Sequence, residues 1–103
     1  MGIAPEELAL REMDQCERDI TGALATLGVP PDDRRWLLSL PPKRVGKLFA
    51  RVDRLRWLMA RFGTVAARRQ KIAHLRMTRL IRQLPSPDLI AEWREDHGVT
   101  EAA

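Results

Sequence analysis

Seven prolines punctuate this 103-residue sequence, and none falls where a helix would have to be continuous. Pro5 suits a first helical turn, where its missing N–H costs nothing. Pro30-Pro31, Pro41-Pro42, Pro85 and Pro87 separate the other segments, because a proline ring clashes with the turn before it. Gly28, Gly63 and Gly98 each follow a periodic run, as C-terminal caps do. Val, Ile and Thr are few and never alternate with polar residues over a strand's length, whereas the common Leu, Ala and Arg favour helix. The expectation is an all-α fold, a compact bundle of three long helices (about 5–27, 42–62 and 64–84) plus two short helices (about 31–40 and 87–97). Residues 1–103 read as a single helical domain, with a frayed tail at 99–103.

Each segment carries an apolar face. Over 5–27 it is Ala9, Met13, Cys16, Ile20, Ala23 and Leu27, recurring at three and four. Trp36, Leu37 and Leu40 point inward from 31–40. The most regular stripe is Val45, Leu48, Val52, Leu55, Met59 and Phe62, which suits either a monomer core or the seam of a homodimer. Thr64 is placed to cap the next segment, whose inner face is Ala66, Ala73, Met77, Leu80 and Leu84. Ser86-Pro87 opens the last, with Leu89, Ile90 and Trp93 inward.

Charge is sorted along the chain. The formal net charge is +4, but residues 1–33 hold two basic and eight acidic side chains. Residues 34–84 hold fifteen basic and one acidic, and residues 85–103 hold one basic and five acidic. An electropositive middle flanked by electronegative ends points to an interaction surface. With Lys43 at zero on a helical wheel, Lys47, Arg51, Arg54 and Arg61 fall within about 80°, beside the apolar stripe. Trp57 lies across that strip, three residues after Arg54 and four before Arg61, so both guanidinium groups can reach its ring. In the next segment Arg68, Arg69, Lys71, Arg76, Arg79 and Arg82 lie opposite the apolar face, with Ile72 and Leu75 among them and out of phase with the core. The competing account is structural: acidic end helices pack over the basic ones and neutralise them. Surface pairs contribute only about 0–1 kcal/mol each, a weak reason to keep so many cations.

Catalytic and metal chemistry find little support. The histidines are His74 and His97, the only thiol is Cys16 and the serines are Ser39 and Ser86, in no recognised metal or nucleophile spacing. Cys16 reads as a core thiol, and His97 as a partner of a helix C-terminal dipole. No enzyme activity and no cofactor are expected. The glycine in "LMARFGTVAARRQKIAHL" raises a helix-turn-helix, in which Thr64, Arg68 and Arg69 would enter the major groove; Met59 standing where alanine is usual, and the long flanking segments, argue against it. A basic helix lying on a membrane surface is disfavoured because neighbouring apolar stripes can bury its own. No apolar run approaches a membrane span, no basic-then-apolar signal pattern opens the chain, and Glu6 stands where a myristoylation motif needs Ser or Thr, so a cytoplasmic protein is expected.

Two functions follow. The first is a small nucleic-acid-binding regulatory protein that docks a phosphate backbone through Lys43, Lys47, Arg51, Arg54, Arg61, Arg68, Arg69, Lys71, Arg76, Arg79 and Arg82. About five such contacts would lower affinity roughly 500-fold between 50 and 200 mM salt. The second is a protein-binding adaptor or inhibitor that meets an acidic protein surface, with Trp57, Ile72 and Leu75 as anchors ringed by arginines. Proteins of mobile genetic elements that block nucleic-acid-binding machines offer the analogy.

Overall fold

The structure is a computed structural model that describes residues 2–29 and 37–98. Among these residues the chain forms four helices and no strand: α1 (Pro5–Leu27), α2 (Pro42–Arg69), α3 (Lys71–Gln83) and α4 (Pro87–Asp96). Most of the short helix expected at 31–40, with Trp36, and the tail 99–103 lie outside the described residues. The end of that segment is described: Leu37 is fully buried and Leu40 N–H donates to the Leu37 carbonyl at 3.3 Å.

Proline and glycine set the bounds of α1. Pro5 is its first residue, and Gly28 ends it in the left-handed region at φ 70°. Gly28 N–H then donates to the Ala25 carbonyl and Val29 N–H to the Leu24 carbonyl, both at 3.1 Å, closing a Schellman-type end. α4 starts as expected, with the Ser86 hydroxyl accepting from Leu89 N–H at 3.2 Å. His97 caps it, its ring Nδ1 2.8 Å from the Trp93 carbonyl and its plane stacked on Trp93.

α2 departs from the sequence reading. Gly63 caps no helix and Thr64 starts none; both lie inside one 28-residue helix. A mid-helix glycine costs only about 1 kcal/mol relative to alanine. Ala66 is buried and Val65 packs against the core beyond it, which offsets that cost. The break comes at Gln70, with φ −137° and ψ 58°. Its N–H donates to the Ala66 carbonyl at 2.7 Å and its carbonyl accepts from His74 N–H at 2.8 Å. One non-helical residue therefore redirects the chain while keeping both of its backbone bonds. A helix-turn-helix centred on Gly63 is ruled out, because there is no turn there.

α2 is the central element. Its 28 residues span about 42 Å, and the molecule's longest dimension is 43 Å. α1 runs antiparallel to it: Glu6 and Glu7 meet Arg69 at one end, and Asp19 meets Arg51 nearer the other. α3 folds back along the C-terminal half of α2, where a Cβ added at Gly63 would stand 3.8 Å from His74 Nε2. α4 covers the N-terminal half. There Phe49 and Trp93 meet edge to face with centroids 5.1 Å apart, and Arg94 pairs with Asp53 at 2.7 Å.

The core holds the expected Ala9, Met13, Cys16, Ile20, Val45, Leu48, Val52, Leu55, Ala66, Met77, Leu84, Ile90 and Trp93. It also takes Leu10, Leu24, Phe49 and Leu58, which broaden the stripes of α1 and α2. Leu89 is the inward residue that fails, at 37% exposure. The α2 stripe is spent on the monomer's own core, so it does not serve as a dimer seam.

Candidate functional site

A helix packed on two sides keeps one outward arc. On α2 that arc carries Lys43, Lys47, Ala50, Arg54, Trp57, Arg61 and Arg68, all exposed. Lys47, Arg54, Arg61 and Arg68 are seven residues apart, so they form a line with a step of about 10.5 Å. Ala50 and Trp57 share that period. No carboxylate lies on the arc. Asp53, the single acid of α2, sits at its margin and is held by Arg94.

Trp57 is 45% exposed. The Arg54 guanidinium carbon lies 4.6 Å from its ring centroid and that of Arg61 lies 5.0 Å away, as the spacing predicts. Such exposed cation–π contacts contribute about 0.5–1 kcal/mol each. They also fix two otherwise flexible cations against a flat ring, which makes the middle of the line ordered.

The edge of α2 facing α1 is different. Arg54 Nε and Nη2 donate to the Glu12 carboxylate at 2.6 and 2.8 Å. Arg51 lies 3.6 Å from Asp19, and Arg69 lies 3.8 Å from Glu6 and 3.7 Å from Glu7. Arg76 of α3 donates to Glu17 at 2.7 and 2.8 Å. Glu17 is itself buried, so this fork ties α1 to α3 across a desolvated carboxylate. Hydrogen bonding from Arg54 holds the Glu12 carboxyl below its ordinary range, and bonding to Glu17 pushes the Arg76 guanidinium higher still.

The single strip expected from the sequence therefore divides. Arg51, Arg54, Arg69 and Arg76 are neutralised by α1, as the structural account of the charge sorting requires. Among the described residues, Lys43, Lys47, Arg61, Arg68, Lys71, Arg79 and Arg82 make no ion pair. The first four lie on the outer arc of α2 and the last three on that of α3. Ile72 is 80% exposed and Leu75 55% exposed, on the same outer arc of α3. They stand on α3, and Trp57 stands on α2.

Arg56 is the cation whose role the charge pattern hid. It is half-buried, and Nη2 donates to the Pro85 carbonyl at 2.6 Å. Burial lowers its pKa, and its Nη1 has no partner among the described residues. It clamps the α3–α4 connection to α2 and takes no part in the exposed line. Its register with Phe49 and Gly63, seven residues to either side and off the cation line, is the signal that separates it from them.

An open groove of about 670 Å³ lies between the C-terminal half of α1 and the start of α2, with Leu27 and Leu48 in its wall and Arg44, Lys47 and Arg51 at its rim. It lies beside the Lys43 end of the line, on the side of α1. Among the described residues no group of three His, Cys, Asp or Glu could hold a metal ion, and no helix is long and apolar enough to cross a membrane. Compared with known proteins, the chain matches no family model, no curated protein and no solved structure.

Proposed function

We propose that this is a non-enzymatic nucleic-acid-binding regulatory protein that docks a phosphate backbone along the outer face of α2. The observation that carries the reading is the line Lys47, Arg61 and Arg68, extended by Lys43 over about 37 Å of helix; these four make no ion pair among the described residues, while Arg54 between them is held by Glu12. A linear array of cations suits a linear polyanion, whose bound counterions are released as the cations replace them. The contacts are to phosphate and carry no base readout. Regulation would follow from occupying the backbone and excluding other proteins from it.

The test is fluorescence anisotropy with labelled duplex and single-stranded oligonucleotides of mixed sequence. The double variant Arg61→Glu, Arg68→Glu removes two exposed cations that make no ion pair among the described residues, so the fold should persist by circular dichroism. Binding should weaken by at least tenfold and the salt dependence should flatten. Unchanged affinity, or an affinity indifferent to salt, would sink the reading.

A second reading keeps one specific observation in its favour. Trp57, exposed and flanked by Arg54 and Arg61, has the composition of a protein-binding hot spot. As an adaptor or inhibitor, the protein would present Trp57 to an acidic protein surface, and Trp57→Ala would cost about 2 kcal/mol or more of binding. A complex that survives nuclease digestion and is lost with Trp57→Ala favours this reading. One destroyed by nuclease favours the first.

A further inference from the structure

The outward side of α3 and α4 forms a surface that the cation line does not explain. Gly46, Phe49, Asp53, Arg56 and Gly63 recur on α2 at steps of three, four, three and seven, so they share one face of that helix. Each meets α4, α3 or the connection between them. Gly46 and Phe49 face Trp93, Asp53 pairs with Arg94, Arg56 bonds Pro85, and Gly63 faces His74. α3 and α4 therefore lie end to end along this face, about 120° round α2 from the cation line. Their outer arcs point away from α2 as one layer.

That layer has two unlike halves. α3 presents Lys71, Arg79 and Arg82 around the exposed Ile72 and Leu75. α4 presents Asp88, Glu92, Glu95 and Asp96, all exposed, beside Leu89 and Ala91. Among the described residues none of these charges forms an ion pair. The basic helix has 13 residues and the acidic one 10, so each is long enough to cover the other. The cationic arc of α3 and the acidic arc of α4 are complementary in charge, and Leu75 stands exposed within the first of them.

We propose that two copies of this chain associate through this layer about a two-fold axis near the α3–α4 connection. α3 of each copy then lies on α4 of the other. A two-fold contact is self-complementary, so every basic-on-acidic pairing occurs twice and the assembly closes at two copies. In that register Arg82 and Arg79 lie over Asp88 and Glu92 of the other copy, and Leu75 leaves water against the last turn of its α4. The outer arc of α2 stays uncovered in both copies, so this inference does not rest on the reading of that arc.

The test is sedimentation equilibrium of the full chain over a concentration series, with two charge reversals, Arg79→Glu and Glu92→Arg. Both positions are exposed and unpaired, and circular dichroism checks that each variant folds. Wild type should approach twice the 11.8 kDa chain mass, and dimerisation should weaken with salt. Each reversal alone faces like charge twice and should weaken association on the order of tenfold or more. Mixing the two variants should restore a dimer, because the two introduced charges then oppose each other in one contact and the native Arg79 and Glu92 meet in the other. Leu75→Asp should also weaken the dimer. A wild-type monomer at chain concentrations up to about 1 mM, a dimer indifferent to both reversals, a mixture that fails to recover, or growth beyond two copies would each overturn the proposal.

Discussion

Glu12 governs how much of the cation line is available, and the substitution Glu12→Gln isolates that role. In the native protein Arg54 is held by the Glu12 carboxylate at 2.6 and 2.8 Å while it also leans on Trp57. Among the described residues Lys43, Lys47, Arg61 and Arg68 then remain as the unpaired cations of the arc. Four phosphate contacts give a log–log salt slope of about −3.6, or about 150-fold between 50 and 200 mM salt. Freeing Arg54 adds a fifth, giving about −4.5 and about 500-fold. If the added contact is worth nothing at 1 M salt, the variant binds duplex about 15-fold tighter at 50 mM and about fourfold tighter at 200 mM. The pair is solvent-exposed, so losing it should leave the fold nearly unchanged, as circular dichroism can check. Anisotropy titrations at four or five salt concentrations measure both slope and affinity. Asp14→Asn, which removes an equal charge from α1 at a carboxylate that makes no ion pair among the described residues, is the control. Acid gives an independent arm. The Glu12 carboxyl is held below its ordinary 4.5, so the pair contributes above that value and is lost only as pH falls through the lower folded one. A Glu12→Gln variant with the native slope, or one that merely tracks Asp14→Asn, would refute the masking of Arg54.

Three further outcomes test the packing. Phe49→Ala should lose about 3–5 kcal/mol in urea unfolding, because the ring is fully buried against Trp93, whereas Trp57→Ala, which removes two exposed cation–π contacts, should lose about 1–2 kcal/mol. Arg56→Leu should lose about 1–3 kcal/mol, and hydrogen exchange should show α4 and the Pro85 connection opening more readily. Cys16 is buried and its thiol pKa is raised chiefly by that burial, so labelling by a thiol reagent should be slow in the native protein and should accelerate with denaturant.

The helical content and the bounds of α1 and α4 were legible because they rest on local chemistry. Pro5, Gly28 and Ser86 each act within one turn of their own position. The join between α2 and α3 was not legible. Gly63 is the residue that looks like a stop, but burial of Ala66 keeps the helix going, and Gln70 carries no mark of a break. The Arg54–Trp57–Arg61 stack was readable because spacings of three and four decide it. Which cations α1 would neutralise was not, because that depends on how α1 is rotated against α2. Arg51 and Arg61 look equivalent on the sequence, yet one faces Asp19 and the other faces water. Leu58 and Phe49 were missed for a related reason. They are covered by different neighbours, so the true core face of α2 is wider than a single stripe.

The junction at Gln70 has a mechanical consequence. With a single residue between two helices, there is no slack to absorb a change in chain length. An amino acid inserted at that point and taken up by helix would swing the following thirteen residues round by about 100°. Met77 would leave the interior, Arg76 would turn from Glu17, and the exposed isoleucine would sweep to a new bearing. Length at this corner is therefore as stringent a specification as the identity of any buried side chain.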